Sequence, residues 1–157
     1  MKDEVLKELV ERTHQELNDI RRVLARIEEG WERARRSNDD YYIDSVALNL
    51  HGFYFGFERI FSRIAEIIDG DIPQGEKWHL RLLQQMAKEV PGIRPAVISI
   101  KSVNLLDEYR GFRHIVRNVY TENLDPDKVG KLVRSAQAAF TIVTAELQAF
   151  AAFLEQE

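Results

Sequence analysis

Apolar residues recur along this chain at intervals of three and four, the spacing at which side chains share one face of an α-helix. Val10, Thr13, Leu17, Ile20, Leu24, Ile27 and Trp31 mark the first stripe, with charged residues filling the other faces, and predict a helix from about Lys2 to Arg36. Ser37-Asn38-Asp39-Asp40 then offers side-chain oxygens suited to ending one helix and capping the next. From Tyr41 to Ile68 apolar residues occupy almost every face, through Ile43, Val46, Leu50, Phe53, Phe57, Ile60, Ile64 and Ile67, so this helix is expected at the centre. The Gly70–Gly75 segment, with Pro73, closes it. A shorter helix fits Glu76 to Val90, with Trp78, Leu82, Leu83 and Met86 inward, and ends at Pro91-Gly92. Leu105, Tyr109, Phe112, Val116 and Val119 predict a fourth helix from about Ser99 to Tyr120. After a break around Pro126, which is tolerated at a helix start, Val129, Val133, Ala136, Phe140, Val143, Leu147, Phe150 and Leu154 form the last stripe. No segment alternates with a strand's period of two. Five helices on short connections imply an all-α antiparallel bundle, one domain spanning residues 1–157.

Composition narrows the chemistry. A chain of 157 residues buries roughly two thirds of its unfolded surface, enough for a core without disulfide or metal staples. The absence of cysteine excludes a disulfide framework, a thiol nucleophile, an iron–sulfur cluster and Cys-type zinc sites. Met1 is followed by Lys2-Asp3-Glu4 rather than an apolar leader, and no uninterrupted apolar run approaches the ~20 residues of a membrane span. A cytoplasmic protein with no membrane association is expected. His14, His51 and His79 show no metal-ligand spacing and read as core-edge or surface histidines, so neither a metal nor another cofactor is expected. The Phe and Tyr residues of the second helix sit at core spacing rather than as a base-stacking platform.

With 22 basic against 26 acidic side chains, the formal charge of −4 argues against wholesale coating of nucleic acid. One stretch runs against that average. Between Tyr109 and Thr121 the sequence YRGFRHIVRNVYT holds Arg110, Arg113, His114 and Arg117 and no acidic residue. At helical spacing these four, with Asn118 and Tyr120, fall within roughly 160° of arc, and Phe112, Ile115, Val116 and Val119 take the rest. Guanidiniums gathered on one face repel one another unless an anion compensates them, and a phosphodiester matches their planar forks. The bland alternative is compensation by Asp107, Glu108, Glu58 or Glu122, within the chain or across a dimer interface. Gly111, costing about 1 kcal/mol against alanine inside a helix, suggests a close approach by another helix or a ligand.

The residues of this stretch resemble the HEPN superfamily, and in particular the HepT-like toxin ribonucleases, helical bundles with an R-x4-H-x-Y motif on a late helix. Here the aligned residues are Arg113, then His114-Ile115-Val116-Arg117, then Asn118, Val119 and Tyr120, giving R-x4-N-x-Y. The resemblance extends to WHLRLLQQM at Trp78 to Met86, RPAVIS at Arg94 to Ser99 and LDEYRGFRHIVRNVYTENL at Leu106 to Leu124. The departure falls on the motif histidine, because the neutral amide of Asn118 cannot act as a general base.

The resemblance implies metal-independent RNA cleavage, in which a ribose 2′-hydroxyl attacks the adjacent phosphorus, by a toxin paired with an antitoxin. His114, the only imidazole of the segment, is then the candidate base. Arg113 and Arg117 are candidates for stabilising charge on the phosphoryl oxygens, Arg110 for holding a flanking phosphate, and Asn118 for bonding the 2′-hydroxyl or the phosphate. By the same resemblance Tyr120 is an acceptor for nucleotide transfer by a minimal nucleotidyltransferase antitoxin of the MntA type, and the protein is a homodimer whose basic helices share a cleft. Tyr120 also reads as a helix-end aromatic packed on the core. Two further readings remain open: a catalytically silent HEPN bundle that binds protein or nucleic acid, and an interaction module whose arginines make interchain ion pairs.

Overall fold

The computed structural model describes residues 2–117 and 124–156, with side chains described through Phe112 and again from Leu124. The described residues form five helices and no strand: α1 (Lys2–Ser37), α2 (Asp40–Ile64), α3 (Trp78–Met86), α4 (Ile100–Arg117) and α5 (Pro126–Gln156). The all-α expectation holds.

Helix α1 carries Asp3 and Glu4 in its first turn and Arg35 and Arg36 in its last, each sign opposing the helix dipole. The capping expectation for the first break also holds. Asn38 takes a left-handed conformation with φ of 55°, and the Asp39 carboxylate accepts from the Tyr41 N–H at 3.0 Å, starting α2. The two helices then run antiparallel. Gly30 faces Val46, Gly56 faces Ile20, and Glu16 reaches Arg59 at 2.7 Å and Arg63 at 3.6 Å. A Cβ on Gly56 would lie 2.4 Å from Ile20 Cγ1, so glycine is what lets the helices approach there.

Helix α2 does not simply end near Ile68. Its last turn widens into a π-helical segment, Ala65–Asp69, closed by Gly70 at φ 65°. This places Asp69 against Arg94, whose Nε and Nη2 donate to the two carboxylate oxygens at 2.6 and 2.8 Å. Arg94 is only 3% exposed, and it also donates to the carbonyls of Gln85, Lys88 and Pro95. These bonds explain why α3 stops at Met86 rather than Val90. The carbonyls of Gln85 and Lys88 are turned to Arg94, and that of Met86 accepts from Val97 and Ile98. The chain therefore leaves the helix before Pro91 is reached.

Helix α4 is anchored at its start and again at its middle. Glu146 of α5 accepts from the Ser99 N–H at 2.9 Å and from the Ser102 hydroxyl, capping the helix from 44 to 47 residues away. Further along, the Tyr109 hydroxyl donates to the Leu132 carbonyl at 2.8 Å and lies 2.6 Å from Ser135 Oγ. Burial pushes that phenol up to about 12. These contacts set α4 antiparallel to α5. Length and composition alone would let α5 span a bilayer, yet Val129, Leu132, Val133, Phe140, Val143, Leu147 and Phe150 are buried within the bundle. Gly130 admits the Trp31 ring, whose Cζ2 would be 2.8 Å from an added Cβ. The core lies around α2, with Phe53, Phe57 and Phe61 fully buried, as their core spacing implies.

Candidate functional site

The basic run starts on a helix whose inner face is fixed by apolar contacts. Leu106, Tyr109 and Phe112 are buried, and the Tyr109 ring packs on Phe53 of α2 with centroids 5.3 Å apart. That inner face holds α4 in register against α2. Arg110 is half-buried at its edge and its Nε donates to Asp107 Oδ1 at 2.5 Å, one turn back on the same helix. Of the carboxylates weighed as compensating partners, Asp107 is thus engaged with the basic run. Arg113, His114 and Arg117 occupy the last two turns of α4. Their side chains, like Asn118, Tyr120 and Glu122 altogether, lie outside the described residues.

Among the described residues no other helix of the chain approaches Gly111. It is exposed, and a Cβ built on it would meet nothing within 4 Å. The close helix approaches are instead at Gly56 and Gly130, each facing a large side chain of α1. Neither was singled out by sequence, because a glycine's neighbours across a bundle leave no trace in its local spacing.

The neighbourhood of Arg110 contains groups that sequence reasoning did not join. Glu58 of α2 is 3% exposed, and its Oε2 lies 2.7 Å from His79 Nδ1 at the start of α3. The ring of His79 packs against Trp78, with centroids 3.6 Å apart. One turn before Glu58, Tyr54 is fully buried. Burial drives the Tyr54 hydroxyl far above its ordinary value and the Glu58 carboxylate adds to the rise, while Arg110 opposes it and Asp107 adds a little more. The charges of Glu58, Arg110 and Asp107 thus all act on the Tyr54 hydroxyl, and these groups of α2 and α4, with His79 of α3 on Glu58, make up a polar seam. Among the described residues the ion-pair partner of Glu58 is His79. His79 sits at the core edge, its side chain 14% exposed, as expected from its sequence context. A sequence signal existed, since Glu58 interrupts the buried series Tyr54, Phe57, Phe61 with a carboxylate.

His14 is exposed on α1, and the half-buried His51 ring meets the Phe55 ring edge-on at 4.6 Å. Among the described residues, no group of three or more His, Asp or Glu side chains is placed to hold a metal ion.

Neither a curated protein nor a solved structure matches the chain. A family model described as HepT-like protein matches residues 45–154, more than two thirds of the chain and all of α3 and α4. Consistent with the five helices and the lack of strands among the described residues, this match shows that the chain belongs to the HepT-like family.

Proposed function

We propose that the protein is the toxin component of a toxin–antitoxin pair and cleaves RNA through the basic end of α4 without a metal ion. The observation that carries this reading is the unbroken cationic run Arg110, Arg113, His114, Arg117 in a HepT-like chain whose overall charge is negative. A site that must gather an anionic phosphodiester against a net charge of −4 needs such local concentration.

In the proposed reaction His114 takes the proton of a ribose 2′-hydroxyl. The freed oxygen forms a bond to the adjacent phosphorus, the bond from phosphorus to the 5′-oxygen breaks, and that oxygen leaves with its electron pair and acquires a proton. The products are a 2′,3′-cyclic phosphate and a 5′-hydroxyl. Arg113 and Arg117 meet the charge that builds on the nonbridging oxygens, where a bidentate guanidinium is most effective. Arg110 holds a neighbouring phosphate once it leaves Asp107, and Asn118 bonds the 2′-hydroxyl or the phosphate. Two copies of the chain bring their α4 ends to one cleft. A minimal nucleotidyltransferase antitoxin of the MntA type silences the site by transferring a nucleotide to Tyr120, which sets phosphate charge where RNA would bind.

One residue favours a second reading. Asn118 stands where the motif histidine of the family belongs, and a neutral amide cannot act as a general base at neutral pH, so a silent bundle that binds RNA or protein without cutting is the alternative. Product analysis separates the two. With the unmodified full chain in EDTA, a single-stranded oligoribonucleotide is expected to give fragments ending in 2′,3′-cyclic phosphate, and its 2′-deoxy analogue to stay intact. Retention of intact RNA on the protein establishes the binding module instead.

A further inference from the structure

Arginines on the surface of α1 are matched by the helix itself. Arg12, Arg22, Arg33 and Arg36 each pair with a carboxylate one turn back. Helix α3 is built differently. From Lys77 to Lys88 the chain holds no acidic residue, and one turn before the exposed Lys88 stand the amides of Gln84 and Gln85. Arg81 is likewise exposed, with Lys77 one turn before it. Among the described residues neither Arg81 nor Lys88 forms an ion pair.

Both cations border one groove of about 340 Å³, whose lining is completed by Asp69, Asp71, Gln84, Gln85 and Val90. The Asp69 carboxylate in its wall is already saturated. Oδ1 accepts from Arg94 Nε at 2.6 Å, and Oδ2 from Arg94 Nη2 at 2.8 Å and Gln85 Nε2 at 2.7 Å. The Arg94 side chain is sealed from solvent, so the charge of Asp69 is cancelled from inside the fold. Gln85 Nε2 also donates to the Asp71 carbonyl at 2.9 Å, and Arg81 Nη1 to the Gln74 carbonyl at 3.3 Å, which ties the 71–74 loop to α3 as the other wall. Two cations thus face the one uncompensated carboxylate of Asp71, and an excess of one sign in a concavity draws counter-charge into it. Arg81 lies in the first turn of α3 and Lys88 just past its end, roughly 10 Å further along the axis. That separation suits successive phosphates of a strand better than a single anion.

We propose that this groove holds the RNA strand beside the point of cleavage, an inference that rests on the ribonuclease reading above. Arg81 and Lys88 take phosphates of the strand, and the Gln84 amide and Asp71 carboxylate meet ribose oxygens and base edges between them. The groove adjoins the connection from α3 to α4, where the Met86 carbonyl accepts from Val97 and Ile98. Arg110 stands ten residues beyond Ile100, roughly 15 Å along α4, so a short strand reaches from one to the other.

The test is binding of an uncut strand at graded salt. A single-stranded oligoribonucleotide methylated at every 2′-oxygen lacks the nucleophile and stays intact on wild type. Fluorescence anisotropy gives its affinity for the full chain and for Arg81→Gln, Lys88→Gln and the double variant, each shown by thermal melting to be folded. Each single substitution is expected to weaken binding several-fold at low salt and to lower the slope of log affinity against log salt by about 0.7, the value for one phosphate of a single strand, and the double variant by about twice that. Arg26→Gln, which removes an exposed cation of α1, is expected to change neither. Wild-type affinity and slope in the double variant overturn the proposal and leave the ribonuclease reading standing, as does an equal loss with Arg26→Gln. Adenosine monophosphate that binds wild type as tightly as the oligonucleotide, and is lost in the double variant, assigns the groove to a free nucleotide and overturns the strand assignment. A wild type that fails to hold the strand overturns it too, and takes the ribonuclease reading with it only if RNA is also left uncut.

Discussion

Arg110 and Asp107 neutralise each other across one helical turn, with Nε 2.5 Å from Oδ1, so the cationic run of α4 begins with an arginine already engaged. Such a half-exposed pair contributes at most about 1 kcal/mol and can be traded for a phosphate. Replacing Asp107 by Asn should therefore release Arg110 and tighten RNA binding several-fold at low salt. The slope of log affinity against log salt should steepen by about one, the signature of one added phosphate contact. Unchanged affinity and slope in filter binding would show that Arg110 does not reach the nucleic acid.

The glycines give a paired prediction for stability. Gly56→Ala forces a methyl against Ile20 and should destabilise the bundle by about 1–3 kcal/mol. Gly111→Ala meets open space on an exposed helix face and should leave stability unchanged or raise it by up to about 1 kcal/mol. Urea unfolding of both variants checks the contrast. A loss at Gly111 as large as at Gly56 would mean that Gly111 packs against a surface absent from the single chain.

Much of this architecture is legible in sequence, for a physical reason. Helix existence depends on local periodicity, and each three-and-four stripe from Val10 to Leu154 corresponds to an observed helix. The differences arise where tertiary bonds override local pattern. Residues 87–90 continue a helical composition, yet Arg94 and the N–H groups of Val97 and Ile98 take the carbonyls of Gln85, Met86 and Lys88. The site divides in the same way. The Arg and His residues of α4 stand out because they are neighbours in sequence. The Glu58–His79 pair does not, because its partners lie 21 residues apart on different helices and neither belongs to a spaced motif.

The Asp69–Arg94 pair makes stability depend on acid. Burial alone would raise the Asp69 carboxyl, but the bonds from Arg94 and Gln85 outweigh it and hold the group below its ordinary value of 3.8. Because the folded value is depressed, the stability it contributes is complete above the unfolded value and is lost as pH falls through the folded one. Arg94→Ala should cost about 3–5 kcal/mol at neutral pH by leaving a buried carboxylate unpaired. It should also flatten the acid limb of the stability profile below about pH 4. Thermal melts across pH that show the same acid limb in variant and wild type would contradict this.

His114 is distinguishable from other histidines by rate. His114→Ala should reduce RNA cleavage by about 10²–10⁴-fold, whereas His14→Ala, on the exposed face of α1, should leave it nearly intact. Asn118→His should then change the rate little, since the base is already present. A large gain in Asn118→His from a near-background wild type would instead identify the site as a degenerate nuclease whose missing group is the motif histidine.

The central claim is that this HepT-like bundle cleaves RNA through Arg113 and its neighbours on α4. Initial cleavage rates of a single-stranded RNA by unmodified wild type and Arg113→Ala, both confirmed as folded and measured in EDTA, test it most directly. The account predicts wild-type cleavage and a loss of about 10²-fold or more in the variant, as expected on removing a donor that meets transition-state charge. Intact RNA with folded wild type, or equal rates for the two proteins, would contradict it.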